Sequence, residues 1–477
     1  MRLSSYSVLS APLDGGGFAL LNGATGAVDF ISEELAQIIT EALSHSEPHS
    51  AQIPEHAIHP VTLSDFLERG HFTAESHETE RAHVATIAAI LHEEEKKNPR
   101  FLFVPNMDCN YRCTYCFERP LQNVLHEATE EGSLQGNSVV MSPSHVEMVY
   151  KGIEIIQSAA GRDGGGQIVL YGGEPLDADN KDVVFKIINH KNARKYDFAA
   201  ITNGHDLNHF SSVLGKGKIG AIQVTIDGPK HIHDKKRISR KGDSSFDRIM
   251  SNVRAVLQRG DTKVDIRVHI DATNIAYFKD LLDIFLAENW LDQPAVTIYA
   301  NIIYRKNSKG TVSSTSNIEH VLKRLQRYAS PYKNVFIAAI FVNAYDLLSG
   351  SLRAGQPYRM RGAYCAANTG MYIFLPDGTI HSCWESIGKD CSRIGTYMNG
   401  LNLDRTATEK WFSRSVNKIA ECLDCSFCLV CGGGCSQYAE YNSDDMLKPF
   451  CDDFQKIFPG VLARAVDDFI SRSEYAT

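Results

Sequence analysis

A chain of 477 residues, 43% hydrophobic and 22% charged, has enough apolar material for two or three domains with complete cores, and its composition is neither disordered nor membranous. Its net charge of −8 argues against a nucleic-acid partner, and no run approaches the roughly 20 apolar residues of a membrane-spanning helix. All 12 cysteines fall in two groups, three at 109–116 and nine between 365 and 451, a distribution that predicts metal in a reducing compartment rather than crosslinks. The N-terminal residues lack a continuous apolar segment of signal-peptide length, so the expected compartment is the cytoplasm, with no membrane partner.

Residues 1–95 read as a small separate unit. Strand-like runs at Tyr6–Leu9, Gly17–Leu21 and Ala27–Ile31 precede an apolar-periodic helix, Glu33–Leu43, then a polar stretch and a second helix, Thr62–Glu68, stopping at Arg69-Gly70. The pattern resembles the winged-helix module that recognises the leader of a precursor peptide by adding a strand to its sheet. From residue 96 to 305 strands and helices alternate. The expected strands are Phe101–Val104, Gln167–Tyr171, Phe198–Thr202, Ala221–Ile226, Val264–Ile270 and Val296–Ile303. Six parallel strands with crossover helices predict an α/β fold, a partial (β/α)6 barrel with its active site at the strand carboxyl ends. The polar segment 117–142 reads as an insertion fit for a lid. The helix after it is capped by Ser142 with Pro143 in the first turn, and carries the stripe Val146, Val149, Tyr150, Ile153 and Ile156, which is core. A bridging region spans 306–359, beginning with the polar linker 306–317, a cysteine-rich domain spans 360–455, and a C-terminal helix spans 456–477.

The first chemical motif is Cys109-x3-Cys113-x2-Cys116, just after the first parallel strand. Three thiolates on a [4Fe-4S] cubane leave one iron open to bind and reduce a small molecule. Zinc is the other reading of such spacing, but structural zinc closes with four ligands and no fourth cysteine or well-spaced histidine lies near. The triad resembles the signature of the radical S-adenosylmethionine (SAM) enzymes. In that family the open iron chelates SAM and the cluster's electron yields a hydrogen-abstracting 5′-deoxyadenosyl radical. Tyr171-Gly172-Gly173-Glu174-Pro175, closing the second strand, resembles the family's GGE motif, which implies that a backbone edge and Glu174 meet the SAM ammonium. The resemblance further implies SAM contacts from Tyr115, Asn203, Thr225, Asp227 and Arg267, with His269 and Asn274 nearby; an Asn-Gly or Asp-Gly-Pro stretch is otherwise a turn.

Other features read more plainly. His231 and His233 are expected to be solvated loop histidines. The glycine runs 15–17 and 164–166 are turns, lacking the order of a dinucleotide fold. The basic stretch Lys230–Lys241 is either a solvated loop or a contact for phosphate or an acidic peptide.

Cys365-x12-Gly378-x4-Cys383, then Cys422-x2-Cys425-x5-Cys431-x3-Cys435, then Cys451, resembles the SPASM extension of radical SAM peptide and protein maturases. That extension carries two auxiliary [4Fe-4S] clusters, making three in all. The resemblance assigns Cys422, Cys425, Cys431 and Cys451 to the outer one, and Cys365, Cys383 and Cys435 to the inner one. Met371 lies where some relatives have a further early cysteine, so the inner fourth ligand is Cys391 or a substrate thiolate. Cys428 is surplus, a spare thiol or replacement ligand, and Gly432-Gly433-Gly434 lets backbone N–H groups turn toward cluster sulfurs. The implied function is a maturase that abstracts hydrogen from a ribosomally made precursor peptide to form a thioether or other crosslink, fed by a ferredoxin or flavodoxin. Formylglycine formation in an anaerobic sulfatase-maturing enzyme is an alternative, although Trp384-Glu385 replaces the aspartate those relatives place after the cysteine equivalent to Cys383. Peptide epimerisation, with Cys428 or Cys391 as hydrogen donor, is another. A non-enzymatic zinc-binding peptide-docking protein would leave the upstream motifs without a role.

Overall fold

The computed structural model describes residues 1–44, 49–119, 139–306, 312–314, 318–451 and 453–474. Two compact units emerge, one of Lys97–Ala339 with Gly370–Phe412, the other of Met1–Lys96, Ile340–Thr369 and Ser413–Thr477. In chain order the strands are β1 (Arg2–Leu3), β2 (Ser7–Leu9), β3 (Phe18–Asn22), β4 (Val28–Ile31), β5 (Phe72–Thr73), β6 (Arg100–Phe103), β7 (Gln167–Leu170), β8 (Asp197–Thr202) and β9 (Ile219–Thr225). They continue with β10 (Lys263–Ile270), β11 (Val296–Ile302), β12 (Tyr304–Lys306), β13 (Val312–Ser314), β14 (Val335–Ile337), β15 (Met371–Phe374), β16 (Thr379–His381), β17 (Arg393–Thr396) and β18 (Asn402–Leu403).

The unit holding the middle of the chain is built on an open sheet of order β14-β11-β10-β9-β8-β7-β6-β15-β16-β17-β18. From β14 to β15 every neighbouring pair is parallel, and the last three pairings are antiparallel. The six expected parallel strands are all present, and the sheet is longer than they predict by one parallel strand at each side. β14 is only three residues long, and β15 comes from the region read as cysteine-rich. What draws β15 onto β6 is aromatic packing: Phe101 lies over Tyr372 and Phe103 beside Phe374, with ring centroids 6.0 and 6.4 Å apart. On β10 Val264, Ile266, Val268 and Ile270 are buried, while Asp265, Arg267 and His269 share the other, half-buried face. Each fully buried side chain of this kind contributes about 1.5–3 kcal/mol.

The helix Pro143–Ala159 follows its sequence signals. Ser142 caps it through His145 N, His145 Nδ1 accepts from Ser142 N at 3.0 Å, and the expected stripe is buried. Most of the expected lid, residues 120–138, and residues 307–311 and 315–317 of the expected linker lie outside the described residues. The pieces of that linker that are described, β12 and β13, pair antiparallel.

In the other unit β2, β3 and β4 form an antiparallel sheet, and β1 pairs with β5. Leu3, Leu20, Ile39, Phe66 and Phe72 make a core within the first 73 residues. That module does not stand apart, however. Tyr6, Val84 and Ala88 share a second core with Val416, Ile419, Leu423 and Leu429, and Tyr6 Oη donates to Leu423 O at 2.6 Å. The helix Phe454–Glu474 reaches the N-terminal segment too, where Ala11 N donates to Pro459 O at 3.0 Å. The stretch expected as one cysteine-rich domain is therefore shared, because residues 370–412 extend the large sheet while 413–477 pack with the N-terminal module.

Candidate active site and the cysteine-lined cavity

The Cys109–Cys116 loop leaves the carboxyl end of β6, where ligands gather in parallel sheets. It is fixed from the side by a second segment: Arg112 N donates to Ile238 O at 2.7 Å, Thr114 N to Lys236 O at 2.9 Å, and Arg240 N to Asn110 O at 3.0 Å. Burial pushes the Cys113 and Cys116 thiols up, Cys116 to about 12, and Cys109 rises with burial and the charges of Glu174 and Cys113. Three sulfurs in one poorly solvated environment, each affecting another, fit a metal cluster that would strip their protons on binding. Among the described residues no three His, Cys, Asp or Glu side chains converge as the ligands of a single ion do. A cubane gives each thiolate its own iron and so sets the sulfurs farther apart.

Gly172 and Gly173 are demanded by packing. Gly172 has φ +117°, and a Cβ there would meet Val104 Cγ1 at 2.5 Å; one on Gly173 would run into the Asp108 carbonyl. The closeness lets Gly173 N donate to Asn106 O at 3.1 Å and Glu174 N to Asp108 O at 2.8 Å, tying the end of β7 to the root of the cysteine loop. Glu174 extends that brace. Its Oε1 accepts from Leu176 N at 2.8 Å and Thr202 Oγ1 at 2.5 Å, and its Oε2 from Asn203 N at 2.6 Å. Burial pushes its pKa up to about 7 against the pull of these three donors. Asn203 in turn donates to Asn110 Oδ1 at 2.6 Å and lies 3.9 Å from Cys109 Sγ, so the GGE segment, β8 and the cysteine loop are one hydrogen-bonded assembly.

A second network begins at the end of β9. Asp227 is fully buried; Tyr115 Oη donates to its Oδ2, His269 N donates to Oδ1 at 2.8 Å, and Arg237 Nη1 donates to Tyr115 Oη at 2.8 Å. Burial raises the Asp227 pKa, but the His269 hydrogen bond and charge and the Arg237 charge win, holding it below the usual carboxylate range. Asp227 N donates to His233 Nδ1 at 3.2 Å, and Asn274 Nδ2 donates to Asp227 O at 2.8 Å. His233 is thus buried rather than solvated, and burial pushes both His233 and His269 down to about 4. Thr225 is buried at the end of β9 and sits in register with Arg267 on β10. Arg237 was missed, and His233 was expected to be solvated, because Lys230–Lys241 reads as a charged loop. The missed signal is helical spacing, since His233, Lys236 and Arg237 lie at i, i+3 and i+4, and all three are buried.

On the other side of the loop, Glu118 is buried beside Tyr171, Glu385 and Cys116. Burial lifts its pKa to about 7, opposed by a hydrogen bond from Tyr171 and helped by Glu385. Trp384 packs on Tyr171, with ring centroids 6.0 Å apart.

The model of the radical SAM superfamily matches residues 104–285, the segment that carries both networks. The chain carries a radical SAM domain. A cysteine-type anaerobic sulfatase-maturating enzyme of Clostridium novyi (strain NT) is 23% identical over 364 residues, 74% of this chain and 91% of that one. An uncharacterized protein of Archaeoglobus fulgidus is 22% identical over 386 residues, 78% and 81% of the two chains. Among solved structures, native anSMEcpe with bound AdoMet and the Cp18Cys peptide superposes with a TM-score of 0.58 at 16% identity, covering 78% of this chain and 99% of that one. No helix among the described residues is long and apolar enough to cross a membrane.

Five cysteines of the second group, Cys422, Cys425, Cys428, Cys431 and Cys451, line a cavity of about 100 Å³ together with Phe427, Gly433 and Phe454. Burial comes first in raising the Cys422, Cys431 and Cys451 thiols, and the other cysteines of the set add to it. Every pair within Cys422, Cys425, Cys431 and Cys451 interacts; Cys428 interacts with the first three of them. Four mutually adjacent thiols fit the donor set of a [4Fe-4S] cluster, and Gln455 Nε2 donates to Cys425 Sγ at 3.3 Å. Gly432, Gly433 and Gly434 all have positive φ, at +80°, +89° and +72°.

Arg414, buried behind the triple glycine, donates to the carbonyls of Met446, Gly433, Gly434 and Lys448 and acts electrostatically on Cys365, Cys435, Cys422 and Cys431. Cys365 and Cys435 lie in this unit, whereas Cys383 and Cys391 belong to the one that carries the large sheet. There Cys391 is exposed, its carbonyl accepting from Trp411 Nε1 at 2.9 Å.

Proposed function

We propose that this radical SAM enzyme matures a ribosomally made peptide, forming a thioether or another side-chain crosslink. Cys109, Cys113 and Cys116 would hold the SAM cluster. Tyr115, Gly172, Gly173, Asn203, Thr225, Asp227 and Arg267 would shape the SAM pocket, and Glu174 would act chiefly by bracing it. With its cluster reduced and SAM bound, such an enzyme supplies a 5′-deoxyadenosyl radical that takes a hydrogen atom from the peptide. Cys422, Cys425, Cys431 and Cys451 would hold one auxiliary cluster. Cys365, Cys383 and Cys435, with Cys391 or a substrate thiolate, would serve another. The observation that carries the peptide reading is the small sheet β2-β3-β4, whose last strand, among the described residues, pairs on one side only and exposes Phe30. An extended leader can add to such an edge, gaining main-chain hydrogen bonds. Co-expression with any short peptide-coding gene found beside its own, followed by mass spectrometry, is expected to yield a peptide lighter by two hydrogen atoms. Unchanged masses for all such peptides would count against the reading.

Sulfatase maturation is the second reading, favoured by the name of the Clostridium novyi relative, which aligns over most of its own length. Glu385, beside Glu118 and Tyr171, would then be the base. Conversion of a cysteine-containing sulfatase peptide to its aldehyde would favour this reading over crosslinking.

A further inference from the structure

The segment Lys235–Lys241 runs alongside the cysteine loop, joined to it by the three backbone hydrogen bonds from Arg112, Thr114 and Arg240 and by pairing of Tyr111 with Ser239. Two of its cations point inward and are engaged there: Lys236 pairs with Asp271 at 2.9 Å, and Arg237 donates to Tyr115. The others face out. Lys235, Arg240 and Lys241 are exposed, as is Arg119 just past Cys116, and Arg112 between Cys109 and Cys113 is half-buried. The charges of Arg240 and Arg119 both act on Arg112. Asp108 answers Arg240, Asp234 and Asp247 both pair with Lys230, and Asp243 lies exposed next to Lys241. With Arg112, Arg119 and Lys235 set against the second carboxylate on Lys230, the described residues of the rim still carry a positive balance on a chain of net charge −8. Among these cations stand two exposed apolar side chains, Phe117 at 47% and Ile238 at 42% exposure.

We infer that this rim is the docking surface of a small acidic one-electron carrier protein of the ferredoxin type. The inference rests on the radical SAM reading of Cys109, Cys113 and Cys116. One electron would leave the carrier's reduced iron–sulfur centre and be gained by the cluster those cysteines would hold; no proton or bond would move in that step. A positive rim around an apolar centre is what a transient electron-transfer contact requires, because charge steers encounter and the apolar contact seats it. The rim borders the loop that carries the ligands, so a carrier seated there is next to the acceptor. A nucleic acid would meet the same charges but has no use for proximity to that loop.

The test uses the iron-loaded full chain, without oxygen, with SAM and either dithionite or a reduced acidic ferredoxin as electron source, reading the initial rate of 5′-deoxyadenosine formation. In the triple variant Arg119→Glu, Lys235→Glu, Lys241→Glu the dithionite rate should stay within about twofold of wild type. The ferredoxin rate should fall at least about tenfold at low salt. The wild-type ferredoxin rate should also fall as salt rises, and the variant's should not. A ferredoxin rate unchanged by the reversal overturns the inference, as does an equal loss with both reductants in the triple variant and in Lys235→Glu and Lys241→Glu singly. Titrated against the iron-free full chain, ferredoxin should bind at least about tenfold more weakly to the triple variant at low salt; unchanged binding, or a single-stranded oligonucleotide that binds the wild-type rim more tightly than ferredoxin does, would also overturn the inference. No product from the wild type with dithionite would instead overturn the radical SAM reading beneath it.

Discussion

Replacing Glu174 separates a structural brace from a ligand contact. In Glu174→Ala the N–H groups of Leu176 and Asn203 lose their buried acceptor, and Thr202 Oγ1 loses its own. An orphaned buried donor costs about 1–3 kcal/mol, so the two backbone groups alone put the loss at about 2–6 kcal/mol. Glu174→Gln keeps Oε1 with both its donors and turns an NH2 toward Asn203 N–H. The expected cost is about 1–3 kcal/mol, at the lower end because burial already works against the carboxylate, lifting its pKa to about 7. Urea unfolding of the iron-free protein, without SAM, measures both. The brace predicts the order wild type, Gln, Ala, with SAM binding weakened in the same order. Unchanged unfolding of both variants together with weaker SAM binding would refute the brace and leave Glu174 as a ligand contact alone.

Gly173→Ala should abolish cluster incorporation at the triad, because the new Cβ occupies the place of the Asp108 carbonyl; iron content and the cluster's visible absorption read this. Cys431→Ser should cost the outer cavity its iron, whereas Cys428→Ser should keep it, since Cys428 stands outside the mutually adjacent four; metal analysis of the purified variants decides. His233 gives a pH signature. Burial holds its folded pKa near 4, below that of an unfolded histidine, so its contribution is complete at neutral pH and is lost as pH falls from about 6.5 toward 4. The full loss is about 3 kcal/mol. His233→Gln keeps an acceptor for Asp227 N and should flatten that part of the stability profile in thermal melts from pH 7.5 to about 5; a variant profile parallel to wild type would contradict it.

What could be read from sequence was whatever local spacing encodes. The parallel strands announce themselves as short apolar runs, the Ser142-Pro143 start fixes a helix to the residue, and the glycines of Gly172-Gly173 sit where a backbone must come close. What could not be read depends on contacts distant in the chain. Met371–Phe374 extends the large sheet because it meets Phe101 and Phe103, which lie far upstream. Tyr6 and Leu423 are joined by a hydrogen bond across 417 positions, and nothing near either residue signals it. Four carbonyls from 19 to 34 positions downstream converge on Arg414, and its own neighbours in sequence do not signal them. The engagement of Asp227 with Tyr115, His269 and Arg237 was only half visible, since a helical face of mixed charge looks the same as a solvated one.

The central claim is that Cys109, Cys113 and Cys116 hold a cluster that reduces SAM. Its most direct test is 5′-deoxyadenosine formation by the protein reconstituted with iron and sulfide without oxygen and supplied with dithionite and SAM, beside a Cys113→Ala control. Product from the wild type that disappears in Cys113→Ala is the predicted result. An iron-loaded wild type that makes none, or a Cys113→Ala variant that makes as much, would contradict it.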